Sequence, residues 1–93
     1  MLIEWSPNAV SDLKSIAEYI EEDRSIEIAN RVARAIYTAV QSLGTMPNRG
    51  RQGRVESTRE LVVPSLPYVI VYRVTGARLL VVNIVHGAQR WPT

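Results

Sequence analysis

The sequence predicts an α+β fold in which a short strand and a two-helix hairpin precede a small antiparallel sheet. Two segments between residues 6 and 43 carry apolar residues at helical spacing, and residues 59–86 contain three runs rich in Val, Ile, Leu and Tyr. Such runs, separated by turn residues, are typical of strands joined by hairpins. We therefore expect the element order β-α-α-β-β-β in a single domain over residues 1–93.

The predicted meander is Arg59–Val63, Tyr68–Val74 and Arg78–His86, divided by Pro64-Ser65-Leu66-Pro67 and Thr75-Gly76-Ala77. Side chains alternate between the two faces of a strand. On the middle strand, alternation separates Tyr68, Ile70, Tyr72 and Val74 from Val69, Val71 and Arg73. On the last strand it separates Leu80, Val82, Ile84 and His86 from Leu79, Val81, Asn83 and Val85. Both faces are apolar, whereas a half-solvated sheet has one polar face. We expect the helices to cover one face and another element, for which a second chain is one candidate, to cover the other.

The N-terminal half supplies the edge strand and the hairpin. Leu2–Trp5 is a candidate edge strand, and Ser6-Pro7 starts a helix because serine caps well and proline suits the first helical position. The second helix begins near Ser25, and Gly44 is expected to supply a left-handed stop. The predicted core stripes are Val10, Leu13, Ala17 and Ile20 on the first helix and Ala29, Val32, Ala33, Ile36, Val40 and Leu43 on the second. Arg31 and Arg34 lie off these stripes and receive no role.

Charge is divided unevenly along the chain. Residues 1–30 hold two basic and seven acidic side chains, a net charge of −5, whereas residues 31–93 hold nine arginines and two glutamates, a net charge of +7. Arginine forms planar, bidentate contacts with phosphate or carboxylate. The basic part therefore suits nucleic acid or an acidic protein segment, although a solvated basic surface that keeps a small domain soluble is the plainer interpretation.

The connection over residues 44–57 contains Arg49, Arg51 and Arg54, spaced by Gly50 and Gly53. Connections this long in a compact domain are usually functional or disordered. Glycines allow close approach of a phosphate or of another chain. Contact with a phosphate or a partner remains open at this point, and so does a plain flexible loop.

The amino-acid composition limits the kinds of catalytic and metal sites that the chain can form. The chain has no cysteine and one histidine, which argues against disulfides, thiolate catalysis and a zinc site, and we expect no metal or cofactor. The N-terminus lacks the pattern of a signal peptide, and no apolar run is long enough to span a bilayer. We expect a cytoplasmic protein without membrane contact.

The segments TRELVV, PYVIVYRV and VVNIVHGAQRWP, together with the predicted order of strands and helices, resemble the RelE/ParE superfamily of small bacterial toxins. The resemblance extends over almost the whole chain. The resemblance implies that two helices pack on one face of the sheet and that a cognate antitoxin wraps the other surfaces. It further implies a ParD-like antitoxin with an acidic toxin-binding segment that folds on contact and with its own DNA-binding domain. DNA contact would then be indirect.

The superfamily has two functional branches. The RelE-like branch cuts ribosome-bound mRNA without metal, using basic residues with a tyrosine or histidine. Here Val69 stands where that branch has an arginine, and Glu60 and Val62 stand where it has lysines. If the chain were a nuclease, its candidates would be His86, Arg73 and Arg59, with Tyr72 as a further group.

The TREL strand and the HGAQRWP ending are most similar to the ParE-like branch, which inhibits DNA gyrase by a protein contact. We expect this function, and we expect arginines and one tryptophan to form the contact, because Trp and Arg are favoured in interfaces. The candidate target- or partner-binding residues are Arg49, Arg51, Arg54, Arg59, Arg73, Arg90 and Trp91. Trp91 has an alternative role, since it can fold back to seal the core edge. A simple nucleic-acid-binding module is a third possibility.

Overall fold

A computed structural model describes residues 1–92, and its helices and strands follow the predicted order. Within these residues the sequence analysis missed one two-residue strand, which lies inside the basic connection. The elements are β1 (Leu2–Trp5), α1 (Pro7–Asp23), α2 (Ile26–Ser42), β2 (Arg51–Gln52), β3 (Arg59–Val62), β4 (Tyr68–Thr75) and β5 (Arg78–His86).

The strands form one five-stranded sheet in the order β1-β5-β4-β3-β2. The meander β3-β4-β5 is antiparallel as predicted, and β2 extends it antiparallel to β3. β1 pairs with β5 in parallel, Leu2 opposite Arg78 and Trp5 opposite Val81. The helix hairpin between β1 and the meander provides the long connection that a strand needs to return in parallel.

Serines cap both helices as the sequence predicts. The Ser6 hydroxyl accepts a hydrogen bond from the backbone N–H of Ala9 at 3.0 Å and donates one to the Val82 carbonyl at 2.7 Å, so one side chain starts α1 and fixes it to β5. The Ser25 hydroxyl accepts from the backbone N–H of Ile28 at 3.2 Å.

Two details of the predicted helices are wrong. Val10 is 54 % exposed, because the face of α1 that contacts the core is set by the buried Ala9 and Ile20. Gly44 does not adopt a left-handed conformation. Instead α2 ends at Ser42, and the N–H groups of Leu43 and Gly44 bond to carbonyls of the last helical turn.

The main core lies between the helix hairpin and one face of the sheet. The core residues of β4 are Tyr68, Ile70 and Tyr72, which lie on one face as alternation predicts. The core residues of β5 are Leu79, Val81 and Ile84. Strict alternation would place Ile84 on the face opposite to Leu79 and Val81. The pairing explains this set: Val71 pairs with Asn83 but Tyr72 pairs with Val81, so Val82 is an extra residue that forms a β-bulge and reverses the alternation beyond it.

The opposite face of the sheet carries a second apolar cluster, composed of Val69, Val71 and Val85. Val82 and the half-buried Trp91 pack against it. The chain therefore covers part of its own second face, although Val62 remains 51 % exposed and Leu80 36 % exposed. Neither helix within residues 1–92 is both long and apolar enough to cross a membrane.

Candidate partner-binding surfaces

Glu60 organises the basic connection. Its side chain is fully buried and accepts hydrogen bonds from the Arg51 guanidinium at 3.0 Å and from the Arg54 guanidinium at 3.1 and 3.2 Å. The backbone N–H of Arg54 donates a further bond at 2.9 Å. Two of the three candidate arginines in the loop are therefore engaged inside the chain, and the connection is held against β3.

These contacts change the ionisation of Glu60. Burial on its own raises the pKa of this carboxyl, but the hydrogen bonds from Arg54 and Arg51 outweigh burial and lower the pKa from 4.5 to about 2. Glu60 thus remains an anion at every physiological pH. It offsets one of the two positive charges of Arg51 and Arg54.

The glycines of the loop make room for the protein's own side chains. The Tyr72 hydroxyl, fully buried, donates to the Pro47 carbonyl at 2.7 Å and accepts from the backbone N–H of Gly50 at 2.9 Å. A Cβ atom on Gly50 would lie 2.7 Å from that hydroxyl. The Arg59 guanidinium donates to the Gly50 carbonyl at 2.8 Å and to the Asn48 carbonyl at 3.3 Å. The loop is therefore braced internally.

The groups proposed for a nuclease do not converge. In the β4–β5 register His86 is opposite Tyr68, whereas Arg73 lies five residues further along β4, about 17 Å away at 3.4 Å per residue. Alternation also places Arg73 on the face of Val71 and Arg59 on the face of Leu61, which contacts the helices. The Tyr72 hydroxyl is occupied as described. The described residues therefore do not bring these cations, the imidazole and a free hydroxyl onto one phosphate.

His86 has local contacts at the end of β5. Its ring lies edge-on to Tyr68, with centroids 5.6 Å apart. Its Nδ1 accepts a hydrogen bond from the backbone N–H of Ala88 at 3.0 Å, and its own backbone N–H donates to the Gln89 side chain at 3.2 Å. The histidine thus shapes the turn that leads into the C-terminal tail.

That tail directs Trp91 onto the second cluster, as the alternative role for this residue anticipated, and leaves Arg90 exposed. The Trp91 Nε1–H is buried and has no hydrogen-bond partner within residues 1–92. Arg73 is exposed on the same face and is the cross-strand neighbour of Leu80. We give the name second-face surface to Val62, Arg73 and Leu80, which are exposed on this face, together with the exposed Arg90 beside Trp91 in the tail.

A groove of about 500 Å³ lies on the other side of the molecule, between α2 and the β3–β4 turn. Its lining residues are Arg31, Arg34, Ala35, Thr38, Ala39, Ser42, Arg49, Val63 and Pro64. Arg49 donates to the Ser42 hydroxyl at 2.9 Å, which brings the loop to the end of α2. We call this the α2 groove.

The sequence analysis did not anticipate this groove, because it assigned no role to Arg31 and Arg34. A signal is nevertheless present in the spacing: Arg31, Ala35, Thr38 and Ser42 repeat at helical intervals and so form a face of α2 beside the core stripe. No pattern within α2 reveals that Val63 and Pro64 lie across the groove from this face of the helix.

Within residues 1–92 no group of three His, Asp or Glu side chains is arranged to hold a metal ion.

The model of a known protein family matches residues 3–91 of the chain. That family is described as the ParE toxin of the type II toxin–antitoxin system parDE. The chain belongs to the ParE toxin family. This membership agrees with the resemblance in the strand sequences and with the observed order of elements.

Two relatives of this ParE family member are named as toxins, and one of them carries a RelE name. The protein Y4kP of Sinorhizobium fredii is 41 % identical over 90 residues, which cover 97 % of this chain and 92 % of the relative. Toxin RelE2 of Caulobacter vibrioides is 36 % identical over 85 residues, covering 91 % and 93 % of the two chains.

Two solved structures share the fold. A chain of the chromosomal ParDE system of P. aeruginosa superposes with a TM-score of 0.87 at 25 % identity, covering 92 % of this chain and 95 % of the other. A chain of the E. coli RelBE toxin–antitoxin complex superposes with a TM-score of 0.62 at 12 % identity, covering 96 % and 98 %. The second likeness is one of fold alone. As a ParE family toxin the chain is the toxin component of a type II toxin–antitoxin system, and its partner is an antitoxin.

Proposed function

We propose that this protein inhibits DNA gyrase in the cytoplasm by binding it, without cleaving RNA, and that a ParD-like antitoxin with an acidic toxin-binding segment neutralises it. The observation that carries the proposal is the dispersal of the candidate nuclease groups. Arg73 lies on the opposite face of the sheet from Arg59 and about 17 Å from His86, and the Tyr72 hydroxyl is buried in two hydrogen bonds. These candidate groups therefore do not place an acid, a base and cations around one phosphate, as such a reaction requires.

The second-face surface is the proposed contact for gyrase. It combines exposed apolar side chains, Val62 and Leu80, with the cations Arg73 and Arg90. Apolar groups beside arginine are typical of protein interfaces. Trp91 belongs to this contact in a supporting role, because its ring packs against Val69, Val71 and Val85 next to Arg90 in the chain.

The predicted contact residues Arg51, Arg54 and Arg59 are given a different role in the proposal. Their guanidinium groups bind Glu60 or backbone carbonyls, so we assign them to the scaffold that holds the loop. The Arg49 guanidinium bonds to the Ser42 hydroxyl and lines the α2 groove, so it stays a candidate for partner contact.

A second candidate function is a metal-independent mRNA endonuclease that acts at the ribosome. The name of the 36 % identical relative, Toxin RelE2, favours keeping this alternative. The two proposals differ in what they require of the imidazole of His86. Catalysis requires an imidazole, whereas asparagine can replace Nδ1 as the acceptor for the Ala88 N–H.

Growth arrest on expression of His86→Asn therefore tests the mechanism. A gyrase-binding toxin retains its toxicity in this variant, and purified gyrase loses supercoiling activity in the presence of either form. Loss of toxicity with an unchanged melting temperature and unchanged antitoxin binding would contradict the proposal and favour the nuclease.

A further inference from the structure

The buried Glu60 carboxylate leaves most N–H donors of its two arginine partners unused. Within residues 1–92, Arg51 donates one guanidinium N–H to Glu60 and Arg54 donates two. A guanidinium group carries five such donors. The two arginine side chains are 61 % and 44 % exposed, whereas that of Glu60 is fully buried. One carboxylate thus holds two cations in place at the surface, and one positive charge is left over for an external anion.

Arg73 lies on the same face of the sheet as this ion cluster. In the strand register Arg51 is opposite Glu60, and Glu60 is opposite Val71 of the second apolar cluster. Arg73 follows Val71 by two residues on β4 and so shares its face. At about 4.8 Å between strands and 3.4 Å per residue, the Cα atoms of Arg51 and Arg73 are about 12 Å apart. Arg73 is exposed and makes no salt bridge within residues 1–92.

Arg78 extends this arrangement toward β1. Arg73 is opposite Leu80, and Arg78 precedes Leu80 by two residues on β5, which places its Cα about 8 Å from that of Arg73. The contact of Arg78 with the Glu4 carboxylate, at 3.4 Å, joins side chains that are 65 % and 47 % exposed. Such exposed pairs contribute little to stability and can yield to another anion. We call the four cations of this face the arginine row: Arg51, Arg54, Arg73 and Arg78.

The length of the arginine row favours a polyanion. From Arg51 to Arg78 the row crosses the strands diagonally over about 20 Å, so that a single phosphate cannot contact all four cations. A DNA duplex carries about one phosphate per 1.7 Å of its axis, which places negative charge opposite every arginine of such a row without one exact register. An acidic protein would need carboxylates at these particular distances. Arginine also binds phosphate through paired N–H donors, which the arginine row has in excess.

We propose that the arginine row binds backbone phosphates of the duplex DNA that gyrase holds, and that Glu60 positions Arg51 and Arg54 for this contact. The inference rests on the proposed function, because gyrase is the enzyme that would bring DNA to the toxin. It adds a direct contact with DNA to the indirect one that the family resemblance implies. The members of the second-face surface outside the arginine row contact gyrase itself, and Arg73 belongs to both surfaces.

Binding to DNA without gyrase tests the arginine row first. Fluorescence anisotropy of a labelled duplex of about 20 base pairs measures the Kd between about 50 and 200 mM salt. Contacts with about three phosphates predict a slope of about −2.7 in log K against log salt, and so a rise of about 40-fold in Kd over this range. Single-stranded RNA as a second ligand and inorganic phosphate as a competitor identify the source of the phosphate. We expect weaker binding to RNA, and displacement by inorganic phosphate no greater than by chloride at equal ionic strength.

Single charge removals locate the contact. Arg73→Gln changes an exposed side chain without a salt bridge, and Arg51→Gln removes a charge while keeping an amide N–H donor for Glu60. Each should weaken DNA binding about fivefold and reduce the steepness of the salt slope by about 1. Arg34→Gln makes the same charge change at an exposed position on α2, on the other side of the sheet, and should alter the Kd less than twofold. Melting temperatures check folding, and Arg73→Gln keeps the test valid if Arg51→Gln unfolds.

The outcomes separate this inference from the proposed function. Gyrase inhibition by a toxin without salt-dependent affinity for DNA, or equal DNA affinities for Arg73→Gln and Arg34→Gln, would overturn the arginine row and leave gyrase as the target. Tighter binding of RNA than of duplex DNA, or specific displacement by inorganic phosphate, would also overturn it. DNA binding that the row variants weaken, alongside normal supercoiling by gyrase, would support the arginine row and contradict the proposed target.

Discussion

Arg54 holds the carboxylate of Glu60 through three hydrogen bonds, two from its guanidinium and one from its backbone N–H. A single charged residue on β3 thereby fixes the conformation of the basic loop. Because the carboxylate is fully buried while Arg51 and Arg54 remain partly exposed, loss of the negative charge would leave the two cations able to return to solvent. The ion cluster therefore acts mainly on loop order and on the pH dependence of stability.

We predict that stability falls in acid because the unfolded chain binds a proton at Glu60 more tightly than the folded protein does. Its pKa is about 2 in the folded protein and near 4.5 in the unfolded chain. Above about pH 4.5 this difference in pKa stabilises the folded state by up to about 3 kcal/mol. The stabilisation is lost as the pH falls from 4.5 toward 2. Urea denaturation at a series of pH values between 2 and 7 measures the free energy of unfolding and so the size of this loss.

Glu60→Gln removes the titrating group at nearly constant volume. We expect the variant to be less stable by about 1–3 kcal/mol at pH 7 and to lose most of the pH dependence between 4.5 and 2. Glu56→Gln is the control, since Glu56 is exposed on the same loop. Equal pH dependence in wild type and Glu60→Gln would contradict the role assigned to this carboxylate.

Tyr72→Phe tests whether the buried hydroxyl is structural. Its removal leaves the buried N–H of Gly50 and the carbonyl of Pro47 without this partner, a cost of about 1–3 kcal/mol in the free energy of unfolding. Tyr37→Phe, at a tyrosine that is 52 % exposed, should change stability by less than about 0.5 kcal/mol. Loss of toxicity in a Tyr72→Phe protein that is still folded and binds antitoxin would indicate a catalytic hydroxyl instead.

Gly53→Ala should destabilise the protein by about 1–3 kcal/mol, because the new Cβ would overlap the Thr58 side chain and lie 3.0 Å from its backbone carbonyl. Thr58 is buried and cannot easily move away. Gly87→Ala is the matched control, since its nearest neighbour is the Pro67 carbonyl oxygen at 3.4 Å. Thermal denaturation of both variants checks the difference, and equal melting temperatures would show that the loop is not held closely against β3.

Arg73→Glu tests the second-face surface. Arg73 is exposed and makes no salt bridge within residues 1–92, so the folded protein should be affected little. We expect at least a tenfold rise in the concentration needed to inhibit gyrase, because the reversal replaces attraction by repulsion at the interface. Lys14→Glu on α1 makes the same charge change on the other side of the molecule and should leave inhibition unchanged. Equal inhibition by both variants would place the gyrase contact elsewhere.

The elements were predictable where local rules determine them. Ser6 and Ser25 are caps in the sequence and in the structure, and the face of β4 that carries Tyr68, Ile70 and Tyr72 follows from alternation alone. The prediction was wrong at Val82, because nothing in an uninterrupted apolar run signals a bulge. It was also wrong about Val10 on α1, because Ala9 and Val10 both fit helical spacing and only tertiary packing distinguishes them.

The candidate surfaces were less predictable, since they depend on which residues meet across the fold. Loop arginines look free in a sequence, and only the position of Glu60 opposite Arg51 in the β2–β3 register shows that two of them are paired. Likewise Arg31 and Arg34 gain significance only from Val63 and Pro64 across the groove. Pairings between residues distant in the chain carry no local signal.

The most direct measurement combines two assays on one preparation of the protein. Supercoiling by purified DNA gyrase and the integrity of ribosome-bound mRNA are followed with and without the toxin, and again after addition of the cognate antitoxin. We predict loss of supercoiling or accumulation of cleaved DNA, intact mRNA, and restoration of gyrase activity by the antitoxin. Cleaved mRNA with unaffected gyrase would contradict the account and return attention to His86, Arg59 and Arg73.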